Sequence, residues 1–160
     1  MNLKGINMKI FEKKIIIYNP VKGTVKNLSE VNDEMFSKKL MGNGFAVEPN
    51  SNNLYSPVKG KVTSVFPTKH AISIKAKGNQ DVLIHIGIDT VELNGDGFEM
   101  IAAEGDTVDF NTKLVSVDFD YIKSSGKETD VIVVFPEAKD KELSIEYGTT
   151  NQNEEIGLLK

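Results

Sequence analysis

The stretch Tyr18-Asn-Pro-Val-Lys-Gly-Thr-Val25 recurs 37 residues later as Tyr55-Ser-Pro-Val-Lys-Gly-Lys-Val62, with six of the eight positions identical. In each copy a proline with fixed φ leads into a short β-type run, and a glycine marks a bend in that run. Two copies of such a unit are typical of a sandwich or barrel whose halves are related by a pseudo-two-fold axis. The repeat therefore predicts an all-β fold with an internally duplicated motif.

The rest of the chain agrees with this prediction. Runs rich in Val, Ile and Phe are separated by clusters of Gly, Pro, Asn and Asp, and a long 3.6-residue periodicity is missing. We predict an antiparallel β-sandwich or barrel, with one or two short helical turns in 29–40 and 118–124. The predicted strands are 14–18, 44–47, 60–66, 71–75, 82–88, 113–117 and 130–135.

Length and composition limit the function classes. The chain has 160 residues, of which 39% are hydrophobic, so we expect one domain over 1–160, with 1–14 and 149–160 as flexible ends. It has no cysteine, which excludes thiolate chemistry, and no apolar run near the roughly 18 residues of a membrane span. All 19 basic residues are lysines in a chain of net charge −4, which argues against nucleic-acid binding. We expect a cytoplasmic protein.

Two histidines stand at the ends of a predicted strand–turn–strand unit. If this hairpin turns on Lys77-Gly78, the numbers of paired residues sum to 155, and His70 faces His85 with Cβ atoms about 4.5–5.5 Å apart. A turn on Gly78-Asn79 instead separates them by one diagonal step. Both registers keep the two imidazoles within reach of each other.

The histidine pair points to phosphoryl transfer. Two neighbouring imidazoles are not both comfortably protonated, so at least one stays neutral near pH 7 and presents a nucleophilic nitrogen. Gly87 removes a side chain beside His85, which favours His85 as the acceptor. A zinc hydrolase-like module, with Asp89 as a third ligand, is the alternative. A regulatory binding protein without transfer activity is a third reading.

The roles of Thr68 and Asp89, which lie near the two histidines in the sequence, each have two possible interpretations. Thr68 either hydrogen-bonds an imidazole nitrogen or only forms a turn, and Asp89 is a functional carboxylate or a solvated one. Composition alone assigns Phe36, Leu40, Met41 and Phe66 to the core. The chain lacks the Walker, GxSxG and HExxH patterns of other enzyme classes.

Two strings resemble a known family. Val82-Leu-Ile-His-Ile-Gly-Ile-Asp-Thr-Val-Glu-Leu93, with Thr68-Lys-His-Ala71 upstream, is similar to the glucose-type IIA component of the bacterial sugar phosphotransferase system. The likeness spans roughly 18–117 and includes the repeat. It implies a β-sandwich-like barrel and a phosphotransferase component that acts as a carrier within a relay.

The resemblance also implies roles for individual residues. The phosphocarrier protein HPr hands a phosphoryl group to Nε2 of His85, which passes it to a cysteine of a sugar-specific IIB domain. His70 stabilises the group in transfer, and Thr68 orients the His70 ring. No cofactor is implied, zinc at the two histidines is adventitious or belongs to an interface, and the membrane is reached only through the permease. The implied docking surface comprises an apolar set, Phe36, Leu40, Met41, Phe66 and Val91, with an acidic rim of Asp33 and Asp89.

Overall fold

The computed structural model describes residues 14–160, and the first thirteen residues of the expected flexible stretch 1–14 lie outside this range. The described part contains short strands and two short α-helices, α1 (Glu34–Ser37) and α2 (Phe119–Ser124). The strands are β1 (Ile15–Tyr18), β2 (Gly23–Asn27), β3 (Asn43–Pro49), β4 (Asn53–Tyr55), β5 (Gly60–Val65), β6 (Ala71–Ala76), β7 (Gln80–Ile86), β8 (Phe98–Met100), β9 (Thr107–Val108), β10 (Lys113–Val117), β11 (Val131–Phe135), β12 (Leu143–Ile145), β13 (Gly148–Thr150) and β14 (Glu155–Leu159).

The strands form three sheets, and the strand pairs are antiparallel. The largest sheet has eight strands in the order β13-β2-β3-β11-β7-β6-β5-β9, and the two smaller ones have the orders β1-β14-β12 and β4-β10-β8. The predicted all-β class is confirmed, and each predicted strand is present with its ends shifted by at most two residues.

The eight-stranded sheet buries apolar side chains on both faces. Its inner face joins the main core, where Ile84, Ile86 and Val133 are at most 1% exposed. Its outer face carries a second, smaller cluster that includes Ala46 and Ile132. Because side chains alternate along a strand, a residue paired with Ile132 also points outward. The second cluster is covered by the segment from the 3-10 turn Leu28–Glu30 to α1, which supplies Leu28, Val31 and Phe36.

The duplicated motif corresponds to a reciprocal contact between its two copies. The Tyr18 amide donates to the Pro57 carbonyl at 2.8 Å, and the Tyr55 amide donates to the Pro20 carbonyl at the same distance. Each pair joins one copy's tyrosine to the other copy's proline. This exchange is what a pseudo-two-fold relation between the copies requires.

The motif glycines are needed where a neighbouring strand approaches closely. A Cβ on Gly23 would lie 2.0 Å from the Glu48 carbonyl oxygen, and one on Gly60 would lie 2.4 Å from that of Lys75. These contacts are shorter than any real Cβ allows. The glycine that both copies of the repeat share at the same place therefore reflects architecture.

The C-terminal segment differs from its sequence-based expectation. We expected 149–160 to be flexible because its first half is polar, but β13 pairs with β2, and β14 pairs with β1 and β12. Ile156 and Leu159 are at most 4% exposed, and their burial holds β14 in place. Within residues 14–160, the helices are too short and polar to cross a membrane.

Candidate functional site

The hairpin that carries the two histidines adopts neither predicted register. Strands β6 and β7 are joined by a 3-10 turn, Lys77–Asn79, and Ala71 pairs with His85, so the paired numbers sum to 156. The intervening three-residue turn explains the difference from the sums of 155 and 157. In a straight continuation of β6, His70 would point to the face opposite His85.

A turn before β6 brings His70 back to the correct face. Lys69 adopts a left-handed conformation with φ 62°, and its amide donates to the Phe66 carbonyl at 2.7 Å. The two imidazole centroids consequently lie 5.0 Å apart with their planes at 80°. The His70 carbonyl also accepts the Ile86 amide at 2.8 Å, which ties this turn to the end of β7. The expected proximity is present, although it arises from the turn and not from strand register.

His85 is held in one tautomer by the backbone that follows it. It pairs with Ile132 of β11 and therefore projects from the outer face of the sheet. Its Nδ1 lies 2.8 Å from the Gly87 carbonyl oxygen. A carbonyl only accepts hydrogen bonds, so Nδ1 must carry the proton. In the neutral ring, Nε2 then has a free lone pair and is the nucleophilic atom.

His70 is nearly enclosed and has its own oriented partner. It is 6% exposed, and its Nδ1 lies 2.6 Å from Thr68 Oγ1. When the threonine hydroxyl donates to Nδ1, the His70 proton resides on Nε2, where it can be donated to a third group. The Phe66 ring packs against the His70 ring in a T-shaped arrangement, with centroids 5.6 Å apart.

Both histidines are biased towards the neutral form. Burial, together with the electrostatic effect of the neighbouring His70, lowers the pKa of His85 to about 4. The Gly87 carbonyl and the carboxylates of Asp33 and Asp89 act in the opposite direction. Burial also lowers the pKa of His70. At neutral pH the site therefore presents an uncharged nucleophile beside an uncharged hydrogen-bond donor.

The two acidic residues implied for the rim have different local roles. Asp33 caps α1 by accepting the Met35 amide at 2.9 Å. Asp89 is exposed, adopts a left-handed conformation with φ 59° and makes no capping contact with its side chain. Its carboxylate is thus available to a basic group of a partner.

The apolar residues divide into exposed and buried ones. Leu40, Val91 and Phe66 are 64%, 49% and 38% exposed, and Met41 is half-buried against the second cluster. Phe36 is only 4% exposed, so its place in the docking surface needs correction. Its ring packs on the His85 imidazole with centroids 5.0 Å apart.

Sequence reasoning missed one exposed residue beside this set. Met35, on the same helical turn as Phe36, is 49% exposed. The helix of four residues is too short to show a periodicity that distinguishes its outward from its inward side chain. Only the folded structure separates the two.

The described part of the chain offers no ready metal centre. Among residues 14–160, no three His, Asp or Glu side chains are grouped as ligands for one ion. The third ligand expected for the zinc alternative, Asp89, is not brought together with the histidines as such a group.

The two histidine rings lie 5.0 Å apart on an antiparallel β scaffold, and His85 keeps a lone pair on Nε2, an arrangement that can carry out phosphoryl transfer. Residues 15–141 match the model of the family described as phosphoenolpyruvate-dependent sugar phosphotransferase system, EIIA 1. The chain belongs to this EIIA family, whose members are relay components that transfer phosphoryl groups.

Relatives support the assignment over most of the chain. The glucose-specific EIIA component of Mycoplasma capricolum is 39% identical over 157 residues, which cover 96% of this chain and 100% of that protein. The solved structure of the glucose permease IIA from Mycoplasma capricolum has a TM-score of 0.83 at 36% identity, covering 92% of this chain and 97% of that one. The glucose-specific EIICBA component of Streptococcus pneumoniae is 47% identical over 119 residues, which cover 74% of this chain but 16% of that longer protein.

Proposed function

We propose that this chain is a phosphoryl carrier of sugar uptake in which His85 Nε2 accepts the group from phospho-HPr and delivers it to a cysteine of a IIB domain. The observation that supports this most directly is the proximity of the His85 and His70 rings, combined with the Gly87 carbonyl that fixes the His85 proton on Nδ1. Family membership supports the relay, and the geometry supports the assignment of roles within it.

The transfer chemistry follows from the proton positions. Nε2 of neutral His85 attacks phosphorus, a P–N bond forms, and the bond to the donor breaks with its electron pair leaving on the donor. Nδ1 keeps its proton, so the phosphorylated ring gains a positive charge that the Gly87 carbonyl oxygen stabilises at 2.8 Å. When a thiolate later attacks phosphorus, the P–N electron pair returns to Nε2 and the ring is neutral again.

We assign His70 to the oxygens of the phosphoryl group in transit. With Thr68 donating to its Nδ1, His70 presents Nε2–H towards the space beside His85. Phosphoryl transfer depends on in-line positioning and stabilisation of charge on the equatorial oxygens more than on acid–base work. A neutral donor held in place by Thr68 serves this purpose without binding the group too tightly to release it.

We assign partner recognition to the exposed apolar residues around the pair. Leu40, Phe66 and Val91 form the apolar docking face, and Met35 extends it. Asp89, and in part Asp33, supply acidic contacts for basic residues of the partners. A carrier must bind and release two partners in turn, so we expect an interface at or below about 1,200 Å² in total.

Several broader assignments belong to the same proposal. We expect one domain over 1–160 and a cytoplasmic location, where phosphoenolpyruvate is made, with membrane contact only through the permease. Relatives named for glucose make glucose the first sugar to test. The zinc hydrolase alternative finds no support, since the relatives are phosphotransferase components; zinc at His70 and His85 would be adventitious or shared with a partner.

Phosphorylation in a reconstituted relay tests the proposal. Phosphoenolpyruvate, enzyme I and HPr should add a single acid-labile phosphoryl group, observed by intact mass. His85→Gln should abolish this addition while the variant unfolds as cooperatively as the parent. His70→Gln should still be labelled but deliver the group to IIB poorly. Labelling of the His85 variant, or unimpaired delivery by the His70 variant, would contradict the assigned roles.

A further inference from the structure

A buried threonine lies in the turn that follows His85, and its hydroxyl bonds to the backbone of that turn rather than to either imidazole. Thr90 is fully buried, and its Oγ1 donates to the Ile86 carbonyl at 2.5 Å. The bond closes the five-residue segment that begins one residue after His85. This segment contains Gly87, whose carbonyl fixes the His85 tautomer.

The Thr90 methyl group shapes the same segment. A Cβ placed on Gly87 would lie 2.5 Å from Thr90 Cγ2, so the methyl fills the space that a side chain at Gly87 would occupy. Gly87 adopts φ 77°, a conformation that turns its carbonyl back towards the His85 ring. Thr90 thus contacts Gly87 with its methyl and Ile86 with its hydroxyl.

The Ile86 peptide extends this arrangement to the second histidine. Its carbonyl accepts the Thr90 hydroxyl, and its amide donates to the His70 carbonyl at 2.8 Å. Ile86 therefore links the Thr90 side chain to the backbone of His70. Ile86 also directly precedes Gly87, whose carbonyl fixes the His85 tautomer. The Gly87 amide is held from the other side by the Asp130 carbonyl at 2.8 Å.

We infer that Thr90 is a positioning residue for phosphoryl transfer, whose hydroxyl keeps the Ile86–Gly87 backbone where the Gly87 carbonyl holds the proton on His85 Nδ1. The inference rests on the proposed function for its kinetic part, but the tautomer part is independent of it. Without the hydroxyl bond, the carbonyl moves relative to Nδ1, and part of the His85 population carries its proton on Nε2. That form has no lone pair at the atom that attacks phosphorus.

The chain offers a matched control for removal of such a hydroxyl. Thr63 Oγ1 also donates to a backbone carbonyl, that of Ser73, at 3.2 Å, but it is exposed and lies on β5 away from the His85 turn. Thr63→Val therefore removes the same kind of bond without touching the site. Thr90→Val removes the hydroxyl and keeps the side-chain volume at position 90. Thr90→Ser and Thr90→Ala both lack the methyl group and differ from each other only in the hydroxyl.

The test combines nitrogen NMR of the histidine rings with transfer kinetics. In the parent and in Thr63→Val, the ¹⁵N shifts of unphosphorylated protein at neutral pH should report His85 protonated on Nδ1. Thr90→Val should show a mixture of tautomers and a drop in the rate of phosphorylation by phospho-HPr of roughly ten- to a hundredfold, as for a small misplacement of reacting groups. Should Thr90→Val not fold, the same comparison is made between Thr90→Ala and Thr90→Ser.

The outcomes separate positioning from simple packing. Recovery of the parent tautomer and most of the rate by Thr90→Ser, but not by Thr90→Ala, supports the inference. An unchanged tautomer in Thr90→Val or Thr90→Ala overturns it, whatever the rate. If the parent itself is not phosphorylated, the proposed function fails, while the NMR comparison still decides the role of Thr90 in fixing the ring.

Discussion

Replacement of Gly87 by alanine should damage both the fold and the transfer reaction. Gly87 has φ 77°, and a left-handed conformation costs an alanine roughly 1–2 kcal/mol. The added Cβ would also lie 2.5 Å from Thr90 Cγ2 and 2.8 Å from the Glu128 carbonyl oxygen. One neighbour is packed side chain and the other is backbone, so relief requires movement; overpacking of this kind costs about 1–3 kcal/mol.

A glycine in the turn between β6 and β7, Gly78, separates the conformational cost from the packing cost. Gly78 has φ 69°, but a Cβ there meets nothing within 4 Å. Gly78→Ala should therefore lower the free energy of unfolding by roughly 1–2 kcal/mol through conformation alone. Gly87→Ala should lower it by about 2–5 kcal/mol, the sum of both effects.

The kinetic consequence belongs to Gly87 alone. Displacement of the Gly87 carbonyl weakens its hydrogen bond to the His85 ring, which becomes charged on phosphorylation. A hydrogen bond to a charged group contributes about 1.5–3 kcal/mol, so its loss should lower the rate of phosphorylation roughly ten- to a hundredfold. Denaturant midpoints and rapid-quench phosphorylation by phospho-HPr measure the two quantities. Equal effects of the two alanine variants on stability and on rate would refute the reasoning, because their φ values are nearly the same.

Three further predictions follow from other contacts. The pKa of folded His85 is about 4 against an ordinary value of 6.5, so the unfolded chain binds more protons between these pH values; the contribution of His85 to the free energy of unfolding should be complete above about pH 6.5 and be lost as the pH falls towards 4. His85→Gln should flatten this dependence of stability on pH. The phosphorylation rate should stay level until the pH nears 4, and a half-maximal rate near pH 6.5 would contradict the lowered pKa. Leu40→Ala should raise the KM for phospho-HPr and change stability by less than about 0.5 kcal/mol, while Ile101→Ala, which removes a side chain of similar exposure, should change neither. Asn19→Ala should lower the free energy of unfolding by about 1–3 kcal/mol in denaturant titrations. The reason is that the buried Asn19 side chain donates to the Asn151 carbonyl at 3.1 Å and accepts a hydrogen bond from the Val21 amide. A loss below about 0.5 kcal/mol would contradict this expectation, because it would mean that other partners replace these bonds.

The fold class was predictable because most of its strands bury β-branched side chains between strong turn signals. The repeat added the relation between the two halves, which the reciprocal Tyr18 and Tyr55 contacts display. Strands β12 to β14 were not predicted, because they are short and alternate with the polar turn at 151–154. Their stability comes from Ile156 and Leu159 packing on distant residues, which no local pattern reveals.

The meeting of the two histidines was predicted for an incorrect reason. Lys77-Gly78-Asn79 is compatible with turns of two, three or four residues, and the structure adopts the three-residue form with Gly78 and Asn79 both at positive φ. That register alone would separate the rings. The left-handed Lys69 restores their contact, and a lysine gives no sequence signal for such a conformation.

The exposure of individual side chains in 33–41 also could not be predicted from the local sequence. Phe36 and Leu40 are one helical period apart, yet one is 4% and the other 64% exposed. The helix ends at Ser37, so helical periodicity no longer applies when the chain reaches Leu40. The resemblance identified this segment as part of the site, but only the structure shows that the buried Phe36 ring packs against the His85 imidazole.

In the proposed relay, the position of His85 would allow one site to meet a donor and an acceptor in turn. Strand β7 lies between β11 and β6, so the backbone up to Ile86 is hydrogen-bonded on both sides. The chain leaves the sheet immediately afterwards, and Gly87 turns its carbonyl onto the ring. The His85 side chain is thus carried by a strand that is hydrogen-bonded on both sides, and it projects from the outer face of the sheet. In that relay the donor would place its phosphorus in line with Nε2, and the acceptor would place its thiolate in line with the P–N bond, so both steps would use the same preorganised atom.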